Sequence, residues 1–228
     1  MRSIVKNNKL APFLVLLLAL LACKMPSLSG NGNGSSTGGT TGGSQGTATG
    51  GSDPKADVIE ASRKFIALDS FTANMNGEGQ TPLNSKVEYK APDRFRIKYL
   101  GGGPSDGMEM VVIGKDMYMK TGDKWTKMPG SGNIPNLRDS FTEEGLKSLN
   151  DVKYEGDETV DGKQTSVYSY KNVTPVGSYP FSCKIWVRHD KGVPLKIHVE
   201  YSNNQALKSM TVNYDVDTPV QIDPPIAK

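Results

Sequence analysis

Cysteine and histidine are the residues of this 228-residue chain best suited to nucleophilic or metal chemistry, and the sequence has only two of each. Cys183 and His198 fall in segments that alternate like strands, Cys183 on the apolar face and His198 on the polar face. Neither has a Cys or His neighbour at a metal-ligand spacing, and two cysteines exclude a disulfide-rich scaffold. We therefore predict no metal site and a buried free thiol at Cys183.

No catalytic motif accompanies these residues. The chain has no Gly-x-Ser-x-Gly elbow, no phosphate-binding glycine loop and no His-Glu-x-x-His sequence. The acidic pairs Glu143-Glu144 and Asp215/Asp217 are more typical of a solvated surface than of a general acid and base. The sequence predicts a protein that is not an enzyme, has no catalytic residues and uses no cofactor.

Cys23 has a more specific setting. Three basic residues precede an uncharged, leucine-rich stretch at residues 10–22, which is too short to span a bilayer and is typical of a secretory signal. The sequence Leu20-Leu21-Ala22-Cys23 resembles the lipobox of bacterial lipoproteins, whose cysteine is acylated and becomes the first residue after cleavage. The alternative is an ordinary signal peptide with a chance cysteine. We predict a signal peptide at 1–22 and palmitate-type lipidation of Cys23, since two or three acyl chains anchor a protein stably.

The segment that follows is a tether. Between Ser29 and Ser52, 20 of 24 residues are Gly, Ser or Thr, and no apolar periodicity is present. Such a chain cannot bury a core and behaves as a flexible coil. Residues 23–53 are therefore predicted to be the lipidated cysteine and a tether, and 54–228 the folded domain.

The charge of the chain argues against nucleic acid as a partner. The formal charge of +3 comes from the signal segment, because without its three basic residues the remainder holds 24 basic and 24 acidic side chains. A domain with no net charge lacks the excess of positive charge that is typical of a nucleic-acid-binding protein.

The folded domain reads as mainly β with a few helices. A helix is predicted after Asp53, which suits an N-cap, with Val58, Ala61 and Phe65 on its apolar face. A second, short helix is predicted at Ser140–Leu149. Nearly all the rest alternates with period two, which predicts an antiparallel sheet with one apolar and one wet face that must curl or close.

One hairpin can be placed in register from its turn. A two-residue turn at Gly114-Lys115 sets Val112 opposite Met117 and Met110 opposite Met119, with Met108 on the same face. The other face pairs Val111 with Tyr118 and predicts an ion pair between Glu109 and Lys120. Methionine is flexible and polarizable, so this face is either ordinary core or a pliable wall of a lipid pocket.

The order of several weak motifs resembles a known family. Three motifs carry the resemblance: Val111 to Met119 followed by Trp125, the turn Asp161-Gly162-Lys163, and Ile185-Trp186-Val187 followed by Gly192-Val193-Pro194-Leu195. In this order they look like the motifs of LolA/LolB-like proteins, nearest their LppX/LprG-type lipoprotein relatives. The tail from Tyr214 to Pro225 is similar to theirs. The resemblance implies a half-open antiparallel β-barrel of about eleven strands, with helices on a concave side that holds acyl chains. The side chains expected to line that cavity are Phe95, Ile97, Met108, Met110, Val112, Met117, Met119, Ile185, Ile197 and Val199.

Together these features predict a membrane-anchored bacterial lipoprotein that binds or transfers a lipid or an acylated molecule in the cell envelope. Its expected partners are the membrane, through acylated Cys23, the lipid itself and an envelope protein. Lys24 is not the aspartate that marks inner-membrane retention, which favours the outer membrane over other extracytoplasmic or periplasmic sites. The alternative is a noncatalytic sensor or protein-interaction module on the same fold, with a filled core.

Overall fold

A computed structural model describes residues 53–80, 82–101, 106–128, 149–172, 181–202, 204 and 206–226. The predicted helix at Ser140–Leu149 and the predicted signal peptide, lipidation site and tether lie outside these ranges, apart from Asp53 and Leu149. The described elements are α1 (Pro54–Ile66), β1 (Ser70–Glu78), β2 (Leu83–Lys90), β3 (Arg94–Tyr99), β4 (Glu109–Ile113), β5 (Asp116–Thr121), β6 (Lys124–Met128), β7 (Asn150–Val160), β8 (Lys163–Asn172), β9 (Phe181–Arg188), β10 (Pro194–Tyr201) and β11 (Ser209–Asp215).

The eleven strands form one antiparallel sheet that does not close. Their order is β6-β5-β4-β3-β2-β1-β11-β10-β9-β8-β7, so two meanders join where β1 pairs with β11. Strands β6 and β7 are the two edges. This confirms the predicted half-open antiparallel barrel, which follows from strands that each carry an apolar and a polar side.

Helix α1 covers one face of the sheet, called here the inner face. The Asp53 carboxylate accepts hydrogen bonds from the backbone amides of Lys55 and Ala56, both at 3.1 Å, as an N-cap should. Val58, Ala61 and Phe65 are buried by the contact with the sheet. No helix within the described ranges is both long and apolar enough to cross a membrane.

The predicted register of the hairpin between β4 and β5 is confirmed. Val112 pairs with Met117 and Met110 with Met119 around a turn in which Gly114 has a φ of 59°. Glu109 lies opposite Lys120 as predicted, but its carboxylate is 3.7 Å from the Arg96 guanidinium on β3. The ion pair that the structure shows for Glu109 therefore joins β4 to β3, whereas the prediction placed it between β4 and β5.

The outer face is not uniformly exposed to solvent, in contrast to the predicted sheet with one apolar and one solvent-exposed face. The C-terminal tail, residues 216–226, lies across it, and Ile222 forms an apolar cluster with Val111 and Tyr118, in which all three side chains are buried. Arg94 donates a hydrogen bond of 2.7 Å to the Ile222 carbonyl. The tail thus supplies a second layer to a face that alternation alone assigns to solvent.

Candidate functional site

Nine of the ten side chains predicted to line a cavity occupy inward-facing strand positions, and this inner face carries two apolar clusters. Met108 immediately precedes β4, and the other nine lie on β3, β4, β5, β9 and β10. The first cluster contains Phe95, Ile97, Met110 and Val112, and Met117 packs against it. The second cluster contains Ile185, and Ile197 packs against it. The remaining three side chains, Met108, Met119 and Val199, are half-buried.

A chain of aromatic rings ties α1 to the first cluster. The centroid of the Phe65 ring lies 4.7 Å from that of Phe71, Phe71 lies 5.2 Å from Tyr89, and Tyr89 lies 5.0 Å from Phe95. Such contacts add stability beyond the burial of area. Of these rings, the sequence analysis assigned only Phe95 to the site, because β1 and β2 meet α1 through tertiary packing.

Hydroxyl groups enter this apolar surface from the second half of the sheet. Tyr170 lies opposite Cys183 across β8 and β9 and is hydrogen-bonded to its thiol. Burial raises the pKa of Tyr170, Tyr201 and Tyr214 above the usual value and raises the pKa of Cys183 to about 12. These groups are therefore neutral hydrogen-bonding groups at physiological pH, and the predicted buried thiol is confirmed.

Most charged side chains of the described strands lie on the outer face, where several pair with one another. Arg96 and Lys86 contact Glu88 at 2.9 and 2.8 Å. Burial of the Glu88 carboxyl opposes ionisation, yet the two cations lower the pKa of Glu88 below its usual value. The two apolar clusters of the inner face contain no charged side chain. Two inward-facing charges of the described strands lie outside these clusters, Lys124 on β6 opposite Thr121 and Asp157 on β7 opposite Ser166.

The outer face has a cavity of about 290 Å³ between the sheet and the C-terminal tail. Its walls are polar and include Lys86, Glu88, Arg96 and Asp215. Because an acyl chain gains nothing from contact with paired charges, this cavity does not fit the predicted ligand.

The structure also brings together a serine, a histidine and an aspartate that sequence reasoning did not connect. The Ser166 hydroxyl lies 3.0 Å from Nε2 of His189 and donates to Asp157 at 2.9 Å, while Tyr154 donates to the same carboxylate oxygen at 2.8 Å. A catalytic triad needs opposite ring nitrogens to face the serine and the carboxylate. Here Nε2 faces both, since it is also 3.3 Å from Asp157, and Ser166 is only 1% exposed.

The remaining candidate ligands do not gather into a metal site. Among the described residues, no group of three or more His, Cys, Asp or Glu side chains has the geometry to hold a metal ion. His198 instead contacts the Thr211 hydroxyl through Nδ1 at 2.9 Å. Its position on the outer side of β10 agrees with the predicted polar face.

Comparison with known proteins identifies the fold. No family model matches the sequence, and no curated protein matches it. The structure is similar to lipoprotein LppX of Mycobacterium tuberculosis, with a TM-score of 0.57 and 15% identity over 75% of this chain and 98% of that one. It is equally similar to LprF of Mycobacterium bovis, with a TM-score of 0.57 and 13% identity over 76% and 97% of the two chains. The resemblance to LppX-type lipoproteins that was drawn from the sequence is thus confirmed at the level of the fold, which this chain shares with LppX and LprF.

Proposed function

We propose that this protein is a membrane-anchored bacterial lipoprotein that binds, and passes on, a lipid or an acylated molecule held against its inner face. The observation that carries the proposal is a pair of apolar clusters, made only of apolar and neutral side chains, on the inner face of a sheet that does not close. The transfer of the acyl chain from water to this apolar surface supplies the driving force for binding, at roughly 25 cal/mol per Å² of apolar surface buried. An open sheet edge lets a long acyl chain enter sideways, which a closed barrel would not.

The anchor and the cellular location belong to the same proposal. LppX, which shares the fold, is itself a lipoprotein, and this supports acylation at Cys23. The domain would then be held in the cell envelope on the tether of residues 23–53, with the outer membrane favoured because Lys24 replaces the aspartate retention signal. No catalytic step is needed for binding and release.

A second function is favoured by the packing of the inner face. Met110 and Val112 are 8% and 3% exposed within a large apolar cluster, as in a solid core. A filled interior would suit a noncatalytic sensor or protein-interaction module of the envelope. The two functions differ in whether the purified protein carries lipid.

Native mass spectrometry of the full chain, purified in mild detergent, tests the proposal. A noncovalent adduct with the mass of a lipid should accompany the protein and vanish under denaturing conditions, whereas the acyl groups on Cys23 should remain. Met110→Lys should reduce this occupancy, because a buried ammonium without a partner is costly. Met110→Leu, the matched control, nearly conserves volume and should cost less than about 1.5 kcal/mol of stability.

The result that defeats lipid binding is equally clear. It consists of a wild-type protein without lipid, together with a Met110→Lys variant that loses stability. That pair of observations would support the interaction module instead.

A further inference from the structure

Ser85 is the buried hydroxyl of the inner face that has no hydrogen-bond partner within the described part of the chain. It is 1% exposed. Other buried hydroxyls are satisfied, since Ser62 donates to the Val58 carbonyl at 2.8 Å and Thr165 to the Glu158 carbonyl at 2.7 Å. A buried polar group without a partner destabilises a fold, so such a group calls for a functional reason.

The position of Ser85 shows where its hydroxyl points. On β2 it lies between Leu83 and Val87, which belong to or pack against the first apolar cluster. Its cross-strand partners are Met75 on β1 and Tyr99 on β3, and both pack against the same cluster. The hydroxyl therefore projects into the apolar interior, where alanine would fill the position without an unsatisfied group.

The surroundings restrict the chemistry that could satisfy it. The Tyr99 phenol is half-buried directly across from Ser85, and both side chains are neutral donors. The inward-facing side chains of β1 to β4, the strands around Ser85, include no cation that could neutralise a carboxylate or a phosphate. Burial of an anion without a counter-ion is far more costly than burial of a hydrogen-bonded neutral oxygen.

We propose that Ser85, beside Tyr99, donates a hydrogen bond to the carbonyl oxygen of an acyl ester, so that the ligand is a neutral acyl ester lipid of the acylglycerol class. This inference rests on the proposed lipid-binding function and adds the chemical class of the ligand. The ester oxygen supplies the acceptor that Ser85 lacks, while the acyl chain extends over the apolar clusters.

Binding of three probes to the delipidated full chain and to its Ser85→Ala variant tests the inference. The probes are monooleoylglycerol, its ether analogue without the carbonyl, and oleate. The wild-type protein should bind the ester about fivefold to tenfold more tightly than the ether, the value of one hydrogen bond. Ser85→Ala should lose this preference and bind the ether unchanged. Ser169→Ala, which removes an exposed hydroxyl on the outer face of β8, should keep the preference.

The melting temperature of the lipid-free proteins provides an independent readout. Ser85→Ala should melt at or above the wild-type temperature, because the variant removes an unsatisfied group. A lower melting temperature would show that the hydroxyl already has a stabilising partner and would overturn the inference.

The failures of the inference and of the proposed function are distinguishable. Equal affinity for ester and ether, a preference retained in Ser85→Ala, or tighter binding of oleate would overturn the ester site while lipid binding stands. Absence of binding of all three probes to the wild-type protein would defeat the proposed function, and the ester site with it.

Discussion

Asp217 fastens the C-terminal tail to the outer face, and its carboxylate should make the stability of the domain depend on pH. It is ion-paired with Lys163 and accepts hydrogen bonds from Lys191 at 2.6 Å and Arg188 at 2.8 Å. Hydrogen bonds from these three cations hold the pKa of Asp217 well below its usual range. One carboxylate of the tail thus neutralises charges from β8, β9 and the turn that follows β9.

The cost of Asp217→Asn can be worked from the exposure of its partners. The Lys163 and Lys191 side chains are 35% and 42% exposed, and such pairs contribute about 0.2–1 kcal/mol each. The Arg188 side chain is only 4% exposed but keeps a second carboxylate, Asp190, at 2.5 Å. Its share is therefore below the 3–5 kcal/mol that orphaning a buried charge typically costs. We expect a total of about 1–3 kcal/mol, or a melting temperature lower by about 3–9 °C for a domain of this size.

The sign of the pH dependence follows from the lowered pKa of Asp217. Its contribution is fully present above the unfolded-state pKa of about 3.9 and is lost as the pH falls towards the lower folded-state pKa. Thermal melts monitored by circular dichroism should show the full difference between wild type and Asp217→Asn at pH 7. That difference should narrow steadily below about pH 4.

Asp223→Asn is the matched control for this prediction. Asp223 lies on the same tail, is 63% exposed and reaches Arg94 only at 3.8 Å, so its loss should cost less than about 0.5 kcal/mol. The reasoning is refuted if the two variants melt together at pH 7. It is also refuted if the deficit of Asp217→Asn persists unchanged at pH 3.

Three further predictions test other parts of the molecule. Cys23→Ala should leave unprocessed, unacylated precursor in membrane fractions, and a mature-sized protein that still partitions into detergent would contradict the lipobox. Ile222→Ala should destabilise the domain by about 2–4 kcal/mol in urea melts, because Ile222 is 1% exposed. The control Ile226→Ala, at a site that is 37% exposed, should change stability by less than about 0.5 kcal/mol. Similar losses of stability in the two variants would mean that the tail does not dock on the sheet. In the Cys23→Ala chain, Cys183 is the remaining thiol. Because the thiol is buried and its pKa is raised to about 12, it should not react with a disulfide reagent at pH 8 until denaturant is added. Rapid labelling of the folded protein would place the thiol at the surface.

The β4–β5 hairpin could be predicted to the residue because its information is local. A two-residue turn at Gly114-Lys115 fixes the register, and a slip by one residue would move Met110 and Met119 to the opposite face. The start of α1 was predictable for the same reason, since Asp53 and Pro54 are a local capping signal. Alternation likewise assigned the inner face of β9 and β10.

Features that depend on distant segments could not be predicted. The docking of Ile222 beside Val111 joins segments more than a hundred residues apart, and the proline-rich tail has no periodicity that indicates a buried face. The cluster of Ser166, His189 and Asp157 arises because β7 pairs with β8 and the turn after β9 is hydrogen-bonded to the start of β8. Ser85 occupies an inward position in an alternating strand, but only the structure shows that its hydroxyl lacks a partner.

The distribution of charge across the sheet links these features to the proposed function. Outer-face charges are paired with one another and with the tail, so they hold the sheet without facing its interior. The two apolar clusters of the inner face contain only apolar and neutral side chains. This surface can exchange contact with solvent, or its own packing, for contact with an acyl chain. The predicted tether of about 30 residues has a root-mean-square span of about 30 Å and an extended reach of about 100 Å. An anchored domain of this kind would stay within reach of the bilayer surface, where acylated ligands are found, while remaining free to turn its open edge towards them.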